Sequence, residues 1–406
     1  DRNVQGATAV AVPGVVDGLG QAHARYGKMP WAELLAPAID HAKQGMVVDW
    51  FAALVIASTT RELAKDPDAA ALFLEDGHWP TISGWTALAD KRLDQSRMAD
   101  TLAQIAANGP REIYDGDVGA AMAADIQAKG GSLSHADLQA YRAEFQPALS
   151  FGYRDAMMHV VPGLTAGPTL QQAMEVMASR DLPATPTPDT YVAFADGLDQ
   201  AYAHRLSQMG DSGESPTAPG CTTHFSVVDR HGNMVAQTQT LLSIFGARVV
   251  SGSTGLLMNN GIMWFDPVQG RPNSLGAGKR CLMNVCPAIG QRGDMRFAIG
   301  ASGGRKIVSA VAQLAGLMLD CGMDLEAAFH SPRIDVSGGP GVVADEALPA
   351  DVLAALAQTR DVVTTKRTIF PYAFACPAGV MRRGALNSGC TEIMSPWGDA
   401  VAGVPA

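Results

Sequence analysis

The chain has 406 residues, of which 47% are hydrophobic and 17% charged, enough to bury a core as one large domain or as two or three ordinary ones. Its formal charge of -10 and pI near 5.3 argue against a nucleic-acid surface, which needs clustered Lys and Arg to replace counterions on phosphates. No uninterrupted apolar run approaches the roughly 18 to 20 residues that cross a bilayer, so neither nucleic acid nor membrane is expected as a partner. In chain order, the first predicted element is a helix over 30–45, where Trp31, Leu34, Leu35, Ala38, Ile39 and Ala42 recur at helical spacing and Pro37 interrupts. A second helix is predicted over 98–108, with Leu102, Ile105 and Ala106 on one side and Gly109-Pro110 as its stop. A third spans 118–129 and ends at Gly130-Gly131, after which Ser134-His135-Ala136-Asp137-Leu138 reads as a capped helix start. Residues 156–161 have strand character, Gly167-Pro168-Thr169 leads into a helix, and 191–209 forms the last long helix of a helix-rich first half.

Residues 211–220 then carry turn formers without hydrophobic periodicity, which keeps backbone accessible. They pass abruptly into Thr222-Thr223-His224-Phe225-Ser226-Val227-Val228, with the β-branched content of a strand. A hydroxyl residue in that position becomes a nucleophile once the peptide bond ahead of it breaks, because the freed α-amine serves as its base. A loop entering an ordinary strand has the same signature. Beyond it, short alternating segments at 225–229, 234–240 and 255–259, with Arg230-His231-Gly232-Asn233 as a turn, predict hairpins in an antiparallel sheet. A strand over 295–300 runs into Ser302-Gly303-Gly304, followed by helical spacing over 306–321. The six cysteines, Cys221, Cys281, Cys286, Cys321, Cys376 and Cys390, match no zinc spacing and read as scattered buried thiols, which favours a reducing, cytoplasmic compartment over a periplasmic one; no metal and no cofactor is expected.

The run from Thr222 to Asn233 followed by Thr238-Gln239-Thr240 resembles the start of the small subunit of γ-glutamyltranspeptidases, which are N-terminal-nucleophile hydrolases. Upstream, Val12-Pro13-Gly14-Val15-Val16-Asp17-Gly18, Asn108-Gly109-Pro110, Tyr114-Asp115-Gly116 and Gly130-Gly131-Ser132-Leu133 resemble landmarks of the large subunit. Downstream, Gly255-Leu256-Leu257-Met258-Asn259-Asn260, Gly278-Lys279-Arg280, Gly300-Ala301-Ser302-Gly303-Gly304 and Ser331-Pro332-Arg333 continue the likeness in order. The resemblance implies an α+β fold, the four-layer αββα sandwich, with 1–221 as the large-subunit part and 222–406 as the small subunit, together one domain. It also implies a further glycine-rich segment ahead of Asp1, so the numbered sequence is expected to begin inside a longer protein.

On this resemblance Thr222 attacks the Cys221 carbonyl, and the resulting ester hydrolyses to leave Thr222 with a free amine of reference pKa about 7.7 to 8.0. Cys221 is the competing nucleophile. Thr240 hydrogen-bonds and activates Thr222, and Gly303 and Gly304 offer backbone N–H groups to the developing oxyanion. Asn260, Trp264, Asn284 and Arg305 are the expected substrate-binding residues. Two of them depart from the pattern: Trp264 stands where γ-glutamyl enzymes bind the α-ammonium with an Asp, and Met283-Asn284 replaces the serine pair that binds the α-carboxylate. Asp266 could replace that Asp only through a shift of register, while Arg280 and Arg305 are candidates for holding a carboxylate. His224 reads as structural. The expected activity is a self-processing amidohydrolase or acyltransferase using a threonine acyl-enzyme, with γ-glutamyl transfer or hydrolysis of glutathione-like amides implied by the resemblance. The alternatives are an amidase for a non-glutamyl acyl group, such as an oxamate-like amide or an acylated β-lactam, and an unprocessed homologue that serves as a binding protein. Expected partners are a small amide, water or an amine acceptor, the two subunits of one precursor and, as an open possibility, a homo-oligomer.

Overall fold

The computed structural model describes residues 2–83, 90–209 and 220–403, so 211–219 of the segment expected ahead of the cleavage site lies outside the described residues. Packing divides the chain into two compact units, Asp1–Phe145 with Leu241–Met263, and Gln146–Thr240 with Trp264–Ala406. This partition differs from the 221/222 boundary, which concerns where the covalent chain is expected to be cut rather than how it packs.

The first unit is largely helical. Helix Ser96–Asn108 stops where Gly109 takes φ 91°, and Ser134 caps His135–Ala140 by accepting from the Asp137 N–H while Asp137 accepts from the Ser134 N–H. Helix Trp31–Gln44 continues through Pro37 instead of breaking there. Pro37 is exposed, so water can reach the carbonyl left without an N–H partner. The upstream landmarks are structural: the Tyr114 hydroxyl donates to the Pro13 carbonyl at 2.9 Å and accepts from the Asp17 N–H at 3.1 Å, and Asp17 pairs with Arg111 at 3.0 Å.

In the second unit six antiparallel strands form one sheet, in the order Leu386–Thr391, Cys376–Arg383, Met295–Ser302, Ala288–Arg292, Ala156–Val160, Leu149–Tyr153. Along Met295–Ser302 the residues alternate between faces. Phe297, Ile299 and Ala301 join a core with helices Gly167–Ala178, Pro188–Gln208 and Lys306–Leu319. Gly300 faces the other way, and a methyl group there would lie 2.4 Å from the His224 ring. The hairpin of Gly220–Val228 and Met234–Ser243 therefore covers the face opposite the helices. Helix Lys306–Leu319 is buried from Ile307 to Leu319, which explains its near-continuous apolar sequence.

The predicted hairpin turn is present. Asp229 Oδ1 accepts from the N–H groups of His231 and Asn233 at 2.8 and 2.9 Å, and Gly232 takes φ 84°. Residues 255–259 are not a strand. They meet 247–251 through an isolated bridge between Val250 and Leu257, and the turn at Gly255, φ 71°, leaves too short a ladder. All six cysteines are free thiols, but only Cys286 is buried; Cys221 is exposed and the others are intermediate. Burial is therefore narrower than the composition implied.

Candidate active site at the Cys221–Thr222 bond

Thr222 and Thr240 are eighteen positions apart, and the hairpin brings them together. The Thr222 hydroxyl donates to Thr240 Oγ1 at 3.1 Å, and the Thr240 hydroxyl donates to the Cys221 carbonyl oxygen at 2.6 Å. A continuous chain of bonds thus runs from the hydroxyl to the carbonyl of the preceding peptide bond. Donation to that oxygen withdraws electron density from the carbonyl carbon and favours attack on it. Cys221 enters this geometry through its carbonyl.

His224, on the same face of the strand as Thr222, is occupied elsewhere. Nδ1 meets Thr238 Oγ1 at 2.8 Å, Nε2 meets Ser226 Oγ at 2.9 Å, and the ring rests on Gly300. Burial pushes its pKa down to about 4 from 6.5, so the ring is neutral at neutral pH. A base depressed on folding stabilises the folded state above its unfolded pKa, and the contribution is lost as pH falls from about 6.5 through about 4. Over that window His224 should cost up to about 3 kcal/mol of stability. Chaotrope unfolding of the protein and of His224→Gln at several pH values checks this: the variant should lack that part of the slope, and parallel curves would contradict it.

Gly303 and Gly304 join strand Met295–Ser302 to helix Lys306–Leu319, with φ 135° and 60°. Both values lie where only glycine is unstrained. A methyl on Gly303 would sit 2.9 Å from Ala375 Cα, whereas none would meet anything within 4 Å on Gly304. Arg305 follows directly, its carbonyl accepting from the Tyr202 hydroxyl. Arg280 is exposed.

A second group forms around Asn273, which the sequence did not single out. Its Nδ2 donates to the Trp264 carbonyl at 2.6 Å and its Oδ1 accepts from the Leu282 N–H at 3.0 Å, tying Trp264 to the segment that carries Asn284. Arg205, fully buried, donates to Met283 O at 3.0 Å and to Asn284 Oδ1 at 2.8 Å, and reaches Thr165 O and Thr169 Oγ1. With its oxygen so engaged, Asn284 keeps Nδ2 buried and without a partner among the described residues; Trp264 Nε1 is in the same condition. Two donors are left to be satisfied where γ-glutamyl enzymes were expected to carry an acid and two hydroxyls. Neither Asn273 nor Arg205 carries a local sequence signal, since each acts on a partner nine or more positions away.

Asp266 cannot replace the missing acid. It is buried, held by Arg271 at 3.1 Å and by the Val268 N–H at 2.8 Å. Asn260 belongs to the first unit and is a brace: Nδ2 donates to Val4 O and Ser243 Oγ, both at 2.8 Å, and Oδ1 accepts from the Ser243 N–H. Both N–H groups of its amide are therefore committed within the first unit.

The gamma-glutamyltranspeptidase family model matches residues 1–219 and 212–373. The Acylase ACY 1 proenzyme of Pseudomonas sp. (strain V22) is 33% identical over 392 residues, covering 87% of this chain and 69% of the relative. The glutathione hydrolase proenzyme of Escherichia coli (strain K12) is 28% identical over 377 residues, covering 80% of this chain and 64% of the relative. Among solved structures, cephalosporin acylase from Bacillus halodurans superposes with a TM-score of 0.84 at 23% identity, covering 96% of this chain and 78% of that one. The fold is that of the N-terminal-nucleophile hydrolases, the αββα class that the resemblance implied. The chain belongs to the γ-glutamyltranspeptidase family, and its relatives include proteins named acylases and glutathione hydrolases.

Proposed function

We propose that this chain is a self-processing amidohydrolase in which Thr222 cuts its own precursor and then carries the acyl group of a substrate. The observation that carries the proposal is the bonded series from Thr222 through Thr240 to the Cys221 carbonyl. In the first reaction Thr222 Oγ gives up its proton and bonds to the Cys221 carbonyl carbon, the carbon–nitrogen bond breaks, and that proton passes to the nitrogen, which becomes the Thr222 amine. Water then cleaves the ester, leaving a carboxylate on Cys221 and a free hydroxyl on Thr222. In turnover the amine accepts the hydroxyl proton as Thr222 attacks the substrate amide, N–H groups of Gly303 and Gly304 receive the oxyanion, and the amine component leaves with the proton. Water or an amine resolves the acyl-enzyme. That two relatives are named proenzymes supports processing of a precursor; the cut proposed for this chain lies between Cys221 and Thr222.

Trp264 and Asn284 favour an acyl group that offers hydrogen-bond acceptors and lacks an α-ammonium. Both present N–H donors that want acceptors, and a tryptophan cannot pair with an ammonium. An acylated β-lactam amide, in line with the acylases among the relatives, or an oxamate-like amide has that chemistry; γ-glutamyl amides do not. The test sets γ-glutamyl-4-nitroanilide beside an acylated cephalosporin and oxamate. The wild-type protein should favour one of the latter two, and Trp264→Asp should raise γ-glutamyl turnover by about tenfold or more, the scale of one charged contact. Efficient γ-glutamyl turnover by the wild type, unimproved by Trp264→Asp, would overturn the acyl preference and leave the nucleophile untouched. A permanently undivided, inert chain would favour the binding-protein reading instead.

A further inference from the structure

Two consecutive glycines at positive φ do not hold their own shape. Glycine populates many conformations with similar ease, so N–H groups aimed from such a turn stay aimed only if the surroundings fix the backbone. The segment from Tyr372 to Ala375 supplies that constraint. Its Ala375 Cα lies so close to Gly303 that a methyl there would stand 2.9 Å away. The carbonyls of the segment are gripped by two cations: the Lys306 ammonium donates to Tyr372 O at 3.0 Å and to Ala373 O at 2.7 Å, and Arg333 Nη2 reaches Ala375 O at 3.4 Å. Arg333 is itself buried and paired with Glu392.

Lys306 is also the first residue of helix Lys306–Leu319, whose opening turn contains no acidic residue. A cation there opposes the helix dipole, so propensity does not account for it. Its setting does. The ammonium is tied down by the two carbonyls, and buried Asp335, whose Oδ2 accepts from Ser337 at 3.0 Å, keeps Oδ1 without a hydrogen-bond partner among the described residues. Burial drives the Asp335 carboxyl upward and the Lys306 charge draws it back down. Lys306, Ser309, Arg333, Asp335 and Ala375 line one shallow, closely packed depression where these groups converge.

We infer that Lys306 is a positioning residue, which clamps the Tyr372–Ala375 segment against Gly303 and so fixes the direction of the N–H groups in the Gly303-Gly304 turn. The inference rests on the reading of those glycines as oxyanion donors.

The test uses processed enzyme and the best amide of the substrate comparison. Lys306→Met should lower kcat by about tenfold or more while KM stays within about twofold, because a misdirected oxyanion donor costs transition-state rather than ground-state binding. Lys306→Arg, which also donates to two carbonyls, should recover kcat to within about threefold. Lys306→Met is expected to lower the melting midpoint, because it strips a charged donor from two carbonyls, so kcat is compared well below the midpoints of all variants. If the Met variant does not fold, Lys306→Gln makes the same comparison with a neutral donor. Wild-type kcat in folded Lys306→Met or Lys306→Gln, or equal losses in the Met and Arg variants, would overturn the inference. Gly303→Ala run in parallel separates the two levels: wild-type kcat in that variant defeats the oxyanion reading, whereas a disabled Gly303→Ala beside a fully active Lys306→Met defeats the clamp alone.

Discussion

Thr222→Ala should remain one chain and lose turnover by at least about 10⁴-fold, because the substitution removes nucleophile and hydrogen-bond donor together. The expected defect is double for a structural reason. The hydroxyl that donates to Thr240 is the group that would attack the Cys221 carbonyl, and the amine that would serve catalysis exists only after that attack. Thr240→Val probes the same series from its other end. It preserves shape and β-propensity but deletes the donor to the Cys221 carbonyl, so it should slow splitting by about 10²-fold, the scale of one lost donor to a developing oxyanion. Denaturing gels sampled over time measure the splitting. A Thr222→Ala chain that divides normally would remove this residue from the chemistry.

The second large effect concerns the glycine pair, where two neighbouring substitutions should differ sharply. In Gly303→Ala the new methyl meets Ala375 Cα at 2.9 Å and Ala375 Cβ at 3.0 Å, at φ 135°. Backbone has to move, and the N–H groups move with it; kcat should fall by about 10²- to 10³-fold. In Gly304→Ala the methyl enters open space and only the φ of 60° is unfavourable. That variant should lose about 1 kcal/mol of stability and keep kcat within about tenfold of wild type. Steady-state kinetics on both proteins check the contrast. Equal and mild effects would place the oxyanion elsewhere.

Local chemistry made much of this legible in the sequence. Arg230-His231-Gly232-Asn233 announced the turn that brings Thr222 to Thr240, and Gly109, Ser134 and the Gly303-Gly304 junction each mark an element boundary where expected. Two departures from expectation have physical reasons. Pro37 lies on an exposed face where the carbonyl left without an N–H partner is open to solvent, and residues 255–259 pair through a single bridge rather than a ladder. What stayed hidden are the braces that act across long stretches of chain: Arg205 on Met283 and Asn284, Asn273 between Trp264 and Leu282, and Lys306 on Tyr372 and Ala373. An arginine or lysine within a helix looks like any solvated charge until its partners are known. The same holds for Asn260, which looked like a ligand-binding amide beside the expected pocket and instead spends its donors on Val4 and Ser243.

The most direct measurement is intact mass together with N-terminal sequencing of the purified protein after it has matured. Two fragments should appear, the second beginning Thr222-Thr223-His224-Phe225 with an unblocked amine. A single undivided chain that nonetheless turns over amides, or a cut at any other bond, would contradict the account.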